Sequence, residues 1–145
     1  MNRFVILAAV LFVASACVNS EVRVIERVDT SNKTMRVPPG GGLNGLLKDE
    51  LRNRGWKIFV ASGPTVTTGQ VGQNTNLETT RTEIARYGLL LNYQRVDLCI
   101  TGYAMYVYDL SVVDFLKGTE VLTLSGRDCG NWIASKFASA LEGGS

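Results

Sequence analysis

The sequence predicts an α+β domain, a two-layer sandwich. A mainly antiparallel sheet of four to five strands carries two main helices on one face. Three observations point there. Leu43, Leu46, Leu47 and Leu51 recur at the spacing of one helical face. The stretch from Leu89 to Ser125 is rich in β-branched and aromatic residues and is cut by short turns, the pattern of an antiparallel meander. Trp132, Ile133, Phe137 and Leu141 then suggest a second amphipathic helix near the C-terminus.

The chain has 145 residues, a length that suits one domain. Its first segment, residues 1–16, reads as an export signal. Arg3 supplies the positive charge, and Phe4 to Val13 forms an apolar run too short to span a bilayer comfortably. Ala14-Ser15-Ala16-Cys17 follows. Two processing chemistries fit it. Ala14 and Ala16 suit ordinary signal peptidase. The same residues with Cys17 next resemble a bacterial lipobox, in which the chain is cut before Cys and the thiol is acylated. The expectation is that Cys17 is the lipidation site. Several acyl chains at about 0.8 kcal/mol per buried CH₂ give a stable anchor.

Residues 17–33 are polar and mixed in charge; Val22, Val24 and Ile25 could start a strand, but the pattern is broken and the segment is read as a lipidated tether. A single domain, 34–145, follows. Thr34 to Val37 predicts a short strand stopped by Pro38-Pro39. Gly40-Gly41-Gly42-Leu43-Asn44-Gly45 formally matches GxGxxG, but the prolines precede it and no acid occurs between Glu50 and Glu78. It is read as a lead into the first helix, which Gly55 closes. Trp56 to Val60 reads as a largely buried strand.

Ser62 to Thr80 is different material, rich in Thr, Gly, Gln and Asn. It is read as a polar loop, 62–80, with a hairpin extension as the alternative. Asn76 to Tyr87 is expected to form a short helix stopped by Gly88. Leu89–Leu98, Tyr103–Phe115 and Glu120–Ser125 are the expected meander strands.

No His occurs, which removes the commonest general base and the usual Ser/His and Cys/His pairings. Asp109 and Asp114 fall on opposite strand faces, Asp128 stands near a sheet end, and Arg95 with Asp97 suggests an exposed ion pair. None has the convergent partners of an acid/base site. Ser125-Gly126 lacks the context of a nucleophile elbow. The expectation is no enzyme, no catalytic residue, no metal and no cofactor. A net charge of +2 gives no electrostatic case for nucleic acid.

In an exported protein, Cys99 and Cys129 are first read as a disulfide, with two free core thiols as the alternative. Strands two places apart are about 9–10 Å distant, whereas a disulfide joins Cα atoms about 5.5–6 Å apart. Cys129 is therefore expected to leave its strand and fold back. Tyr93, Tyr103, Tyr106 and Tyr108 are first read as aromatic packing under a helix or as cross-strand pairs, with an exposed face that binds a partner protein or lipid as the alternative; on that alternative the four are the partner-binding candidates.

The lipoprotein-like signal, a short strand, Leu43-Asn44-Gly45-Leu46-Leu47 leading into Leu51-Arg52-Asn53-Arg54-Gly55-Trp56, a polar insertion, a meander and a last helix form a recognisable order. So does Val112-Val113-Asp114 followed by Gly118-Thr119-Glu120-Val121-Leu122. The chain resembles the LPS-assembly lipoprotein LptE family and the β-α-β-β-β-α envelope domains of the CsgG and TolB N-terminal type. The resemblance implies an accessory or partner-binding subunit of an envelope assembly or transport complex, with an outer-membrane barrel among the candidate partners. Val18, where lipoproteins kept in the inner membrane carry Asp, implies the periplasmic face of the outer membrane. The alternative is a soluble exported module that binds a small molecule, glycan or foreign protein.

Overall fold

The computed structural model describes residues 19–60, 65–70, 76–81 and 85–143. The expected signal, 1–16, and the expected lipidation site, Cys17, lie outside the described residues. The fold is mixed α+β, with two helices and a six-stranded main sheet. Ten elements occur in order: β1 (Asn19–Val24), β2 (Thr34–Val37), α1 (Leu43–Asn53), β3 (Lys57–Val60), β4 (Thr65–Gln70), β5 (Asn76–Arg81), β6 (Tyr87–Leu98), β7 (Ala104–Asp114), β8 (Thr119–Cys129) and α2 (Gly130–Leu141).

The main sheet runs β1-β8-β7-β6-β2-β3. β6, β7, β8 and β1 are antiparallel neighbours, while β2 lies parallel to both β3 and β6. The sheet is therefore mixed and six strands wide, not the mainly antiparallel four to five expected. Two features account for the difference. The crossover through α1 makes β2 and β3 parallel, as a helical connection allows. Residues 19–24, expected in the tether 17–33, instead pair along the whole of β1 with β8, from Asn19 opposite Arg127 to Val24 opposite Leu122. The backbone ladder with β8 completes the strand that Val22 and Val24 could start and that Ile25 interrupts.

Gly55, with φ of 80°, takes the left-handed conformation that lets the chain leave α1. Alternation along β7 turns Tyr106, Tyr108, Leu110, Val112 and Asp114 toward the helices. Tyr106, Tyr108, Leu110 and Val112 join Leu47 and Leu51 of α1 and Ile133, Phe137 and Leu141 of α2 in one core. Trp132 does not share that face; it is exposed. One residue of helix rotates a side chain by about 100°, enough to swing it off the stripe that Ile133 begins.

The short helix considered for 76–87 does not occur among the described residues of that range. Asn76–Arg81 is β5, paired with β4 in a separate two-stranded sheet, and Tyr87 already belongs to β6. Of the two readings of the segment 62–80, the hairpin describes its paired strands. Cross-strand backbone bonding and a Thr-rich composition favour strand over a weak helical period.

Candidate functional site

The register places several unusual residues at one end of the sheet. Asn19 lies opposite Arg127, Met105 opposite Cys129, and Ala104 opposite Leu98. Cys99 and Cys129 form a disulfide there, with Cα atoms 6.1 Å apart. The expected pairing is present, but the route differs. Cys129 stays in its strand, opposite Met105. Cys99 is the residue beyond its strand, in a turn where it accepts from Gly102 N–H and donates to the Tyr103 carbonyl. A register shift between Arg95 and Asp97 precedes it. A bulge bends its strand, and the turn that follows it shortens the two-strand gap.

The same end is apolar on its outside. Ile100, at the tip of the β6–β7 turn, is fully exposed, Leu98 and Tyr103 are exposed on either side of it in the chain, and Trp132 is exposed in the first turn of α2, three residues after Cys129. A tip pinned by a disulfide presents these side chains from a braced platform.

The four tyrosines do not form one surface. Tyr106 and Tyr108 are buried, and Tyr93 is half-buried with its ring edge-on to Tyr106, 5.4 Å between centroids. Only Tyr103 is exposed. Packing under the helices, the first reading, describes Tyr106 and Tyr108, which share the strand face that the helices cover. The alternative of a four-tyrosine partner face is corrected, because Tyr103 alone of the four is exposed. Burial pushes the Tyr108 phenol pKa up.

A groove of about 760 Å³ lies between β1 and α2. Val22 and Val24 form one wall, Val28 its far end, and Ala140 part of the other wall. Lys136 bridges the groove near its start. Its Nζ donates to Asp128 Oδ2 at 2.5 Å and to Ser20 Oγ at 2.7 Å. Asp128 is fully buried, and its other oxygen accepts the Cys129 N–H. The volume suits a ligand or a packed side-chain row.

The remaining carboxylates are dispersed. Asp114 is buried and accepts two bonds from Arg86, each 2.9 Å. The Arg86 guanidinium holds its carboxyl below the usual range. Asp109 lies exposed on the opposite face, as the spacing requires. Asp97 meets Arg127 at 3.9 Å across the strands, not Arg95. The bulge takes Asp97 out of step with Arg95. Among the described residues, no three His, Cys, Asp or Glu side chains gather as metal ligands. No described helix is long and apolar enough to cross a membrane.

The glycine-rich segment sits in a β2–α1–β3 unit with parallel strands, context the sequence did not reveal. Its carbonyls are occupied from within. Pro39 O accepts from Asn44, Gly40 O from Lys48 and Gly41 O from Tyr93. The segment fastens α1 to the sheet.

The apolar end and the groove were missed in the sequence. Ile100 and Trp132 read as ordinary apolar residues, and the register with the Cys99–Cys129 bridge brings the turn of Ile100 and the start of α2 to the end of the sheet where β1 begins.

No family model matches the chain. No curated protein matches it. Solved structures do. One is the PelC dodecamer from Paraburkholderia phytofirmans, 13% identical, with a TM-score of 0.51 over 85% of this chain and 94% of that one. A variant PelC dodecamer from the same organism is 11% identical, with a TM-score of 0.51 over 86% and 94%. The likeness is one of fold.

Proposed function

We propose that the chain is a non-catalytic lipoprotein, anchored through acyl chains on Cys17 to the periplasmic face of the outer membrane. It serves as an accessory, partner-binding subunit of an envelope assembly or transport complex. One observation carries this reading. The β1–β8 register brings Asn19, two residues after Cys17, to the end of the sheet that exposes Leu98, Ile100, Tyr103 and Trp132. A short lead of this kind reaches less than about 10 Å, so the domain stands close against the bilayer. Trp and Tyr favour the membrane–water interface because one part of each ring is apolar and another polar. Apolar side chains that cost free energy in water are thereby covered by lipid.

The fold likeness to PelC, solved as a dodecamer, supports placing such a domain in a multi-subunit assembly. The resemblance to envelope lipoproteins supports the same setting.

The groove favours a second reading, a soluble exported binding module. Intact mass of the mature N-terminal peptide separates the two. Acyl mass on Cys17 supports the anchored subunit; an unmodified Cys17 overturns it. Crosslinking in intact cells, followed by solubilisation in mild detergents, is expected to recover an envelope component. Recovery of this chain alone in several detergents counts against the accessory role.

A further inference from the structure

We propose that the groove between β1 and α2 receives the β3–α1 side of a second copy of this chain, head to tail, so that one sheet and one helix layer run on from subunit to subunit. The inference builds on the anchored-subunit reading, because the shared membrane end restricts how copies meet.

Copies standing on the same end are related by an axis along the bilayer normal, roughly parallel to their strands. They meet side to side. The sides of the sheet are its two edge strands, β1 and β3. Tracing the pairings across the sheet gives β1 and β3 opposite directions. A neighbour in the same orientation therefore offers β3 antiparallel to β1, a direction backbone bonding accepts.

The side chains agree with the directions. Val22 and Val24 lie opposite Leu124 and Leu122, two fully buried residues, so they belong to the helix side of the sheet. Ile58 and Val60 lie opposite Met35 and Val37, also fully buried, so they too belong to the helix side. Yet Val22, Val24 and Val60 are exposed, at 44%, 55% and 45%. Edge strands in water are commonly protected by inward-pointing charge. Here both edges carry uncovered apolar residues on one side. Joined head to tail, they form a continuous apolar row.

The helix layer gives the same answer. Its two helices do not cover six strands. α2 packs on β8 and β7, and α1 packs near β3. The vacancy beside α2, over β1, is the groove. If β3 of a neighbour adds to β1, the α1 that travels with it arrives over that vacancy. A two-fold about the same axis would pair β1 with β1 but turn the two helix layers to opposite faces, and the Val rows would not meet. Heterologous contacts of this kind close into rings when the rotation per subunit permits.

The test uses the mature chain with Cys17→Ser, measured by light scattering on size exclusion, and the native acylated chain crosslinked on vesicles of phosphatidylethanolamine and phosphatidylglycerol. Species larger than a dimer are expected. Val24→Lys and Val60→Lys should each abolish them. Mixed together, the two variants should form a 1:1 heterodimer and grow no further, since each retains one intact side. A monomeric parent both in solution and on vesicles overturns the proposal. So does a loss of assembly in only one variant, or a mixture that stays monomeric. If a lysine variant loses its circular dichroism, Val24→Cys combined with Val60→Cys replaces it. Mild oxidation should then give a ladder of multimers, and monomer alone overturns the proposal. A monomer that carries acyl mass and envelope partners would sink this interface while leaving the anchored-subunit reading intact.

Discussion

Gly126 leaves no room for a side chain against Asn19. A Cβ at residue 126 would lie 2.0 Å from the Asn19 carbonyl oxygen, and Gly126 has φ of 141°. The obstacle is backbone, and Gly126 faces Ser20 in the register. Only glycine lets β1 close against β8 at the end where the chain emerges from Cys17. Gly126→Val is expected to lift the start of β1, at a cost of about 1–3 kcal/mol. Hydrogen exchange should speed up at β1 amides while those of β6 and β7 remain protected. Unchanged protection at β1 would refute the account.

The Cys99–Cys129 bridge spans 30 residues and ties the β6–β7 turn to the strand that enters α2. Replacing both residues with Ser should cost roughly 2–4 kcal/mol, read as a lower urea midpoint. The apolar tip should also loosen, so Ile100 and Tyr103 amides should exchange faster than those of Val112 and Val113.

Asp114 is held ionised by Arg86, with the Leu116 N–H also donating to it. Its folded pKa lies below the unfolded value of about 3.9. The contribution to stability is therefore fully present above that value and is lost as pH falls through the lower folded pKa. Asp114→Asn should lower the urea midpoint at pH 6. The gap from the parent should narrow below about pH 4. A gap independent of pH would count against the ion pair.

The exposed end predicts vesicle binding without acyl chains. The Cys17→Ser chain should show a blue shift in the emission of Trp132 on vesicles, against a constant background from buried Trp56. Ile100→Asp should remove about 1.5–3 kcal/mol of partitioning, the scale of one fully buried side chain. Flotation equal to that of the parent would disprove contact at this end.

Phe137 is fully buried within the core shared by α1, α2 and β7. Phe137→Ala should cost about 3–5 kcal/mol, the transfer free energy plus a cavity, measured by urea unfolding. A loss below about 1 kcal/mol would show that the helix layer packs less tightly on the sheet than the burial implies.

Local signals were legible where a period and a stop coincided. Leu43, Leu47 and Leu51 with Gly55 marked α1 because helical spacing and a left-handed stop are properties of neighbouring residues. The meander strands were legible for the same reason. β1 was only half legible, because Val22 and Val24 alternate with Glu21 and Arg23 as a strand does but the alternation is short and breaks at Ile25. Its strand state comes from β8, about a hundred residues away in the chain. For the tyrosine group an exposed face stayed open as an alternative, because alternation shows which residues share a face but not which face the helices cover. The helix expected from Asn76 failed because a weak period carries less free energy than a paired backbone.

The sequence by itself carried the absence of His, the two helices, the strand-rich middle and a disulfide as the first reading of Cys99 and Cys129. Each follows from the chemistry of residue types or from short-range spacing. Only the tertiary structure decided that the sheet is mixed and six strands wide, that Tyr106 and Tyr108 lie inside, and that the turn of Ile100 and the start of α2 come to the end of the sheet where β1 begins. It also left Val22, Val24 and Val60 uncovered. These are consequences of register and of which face two helices can cover, and both are set by long-range pairing and packing.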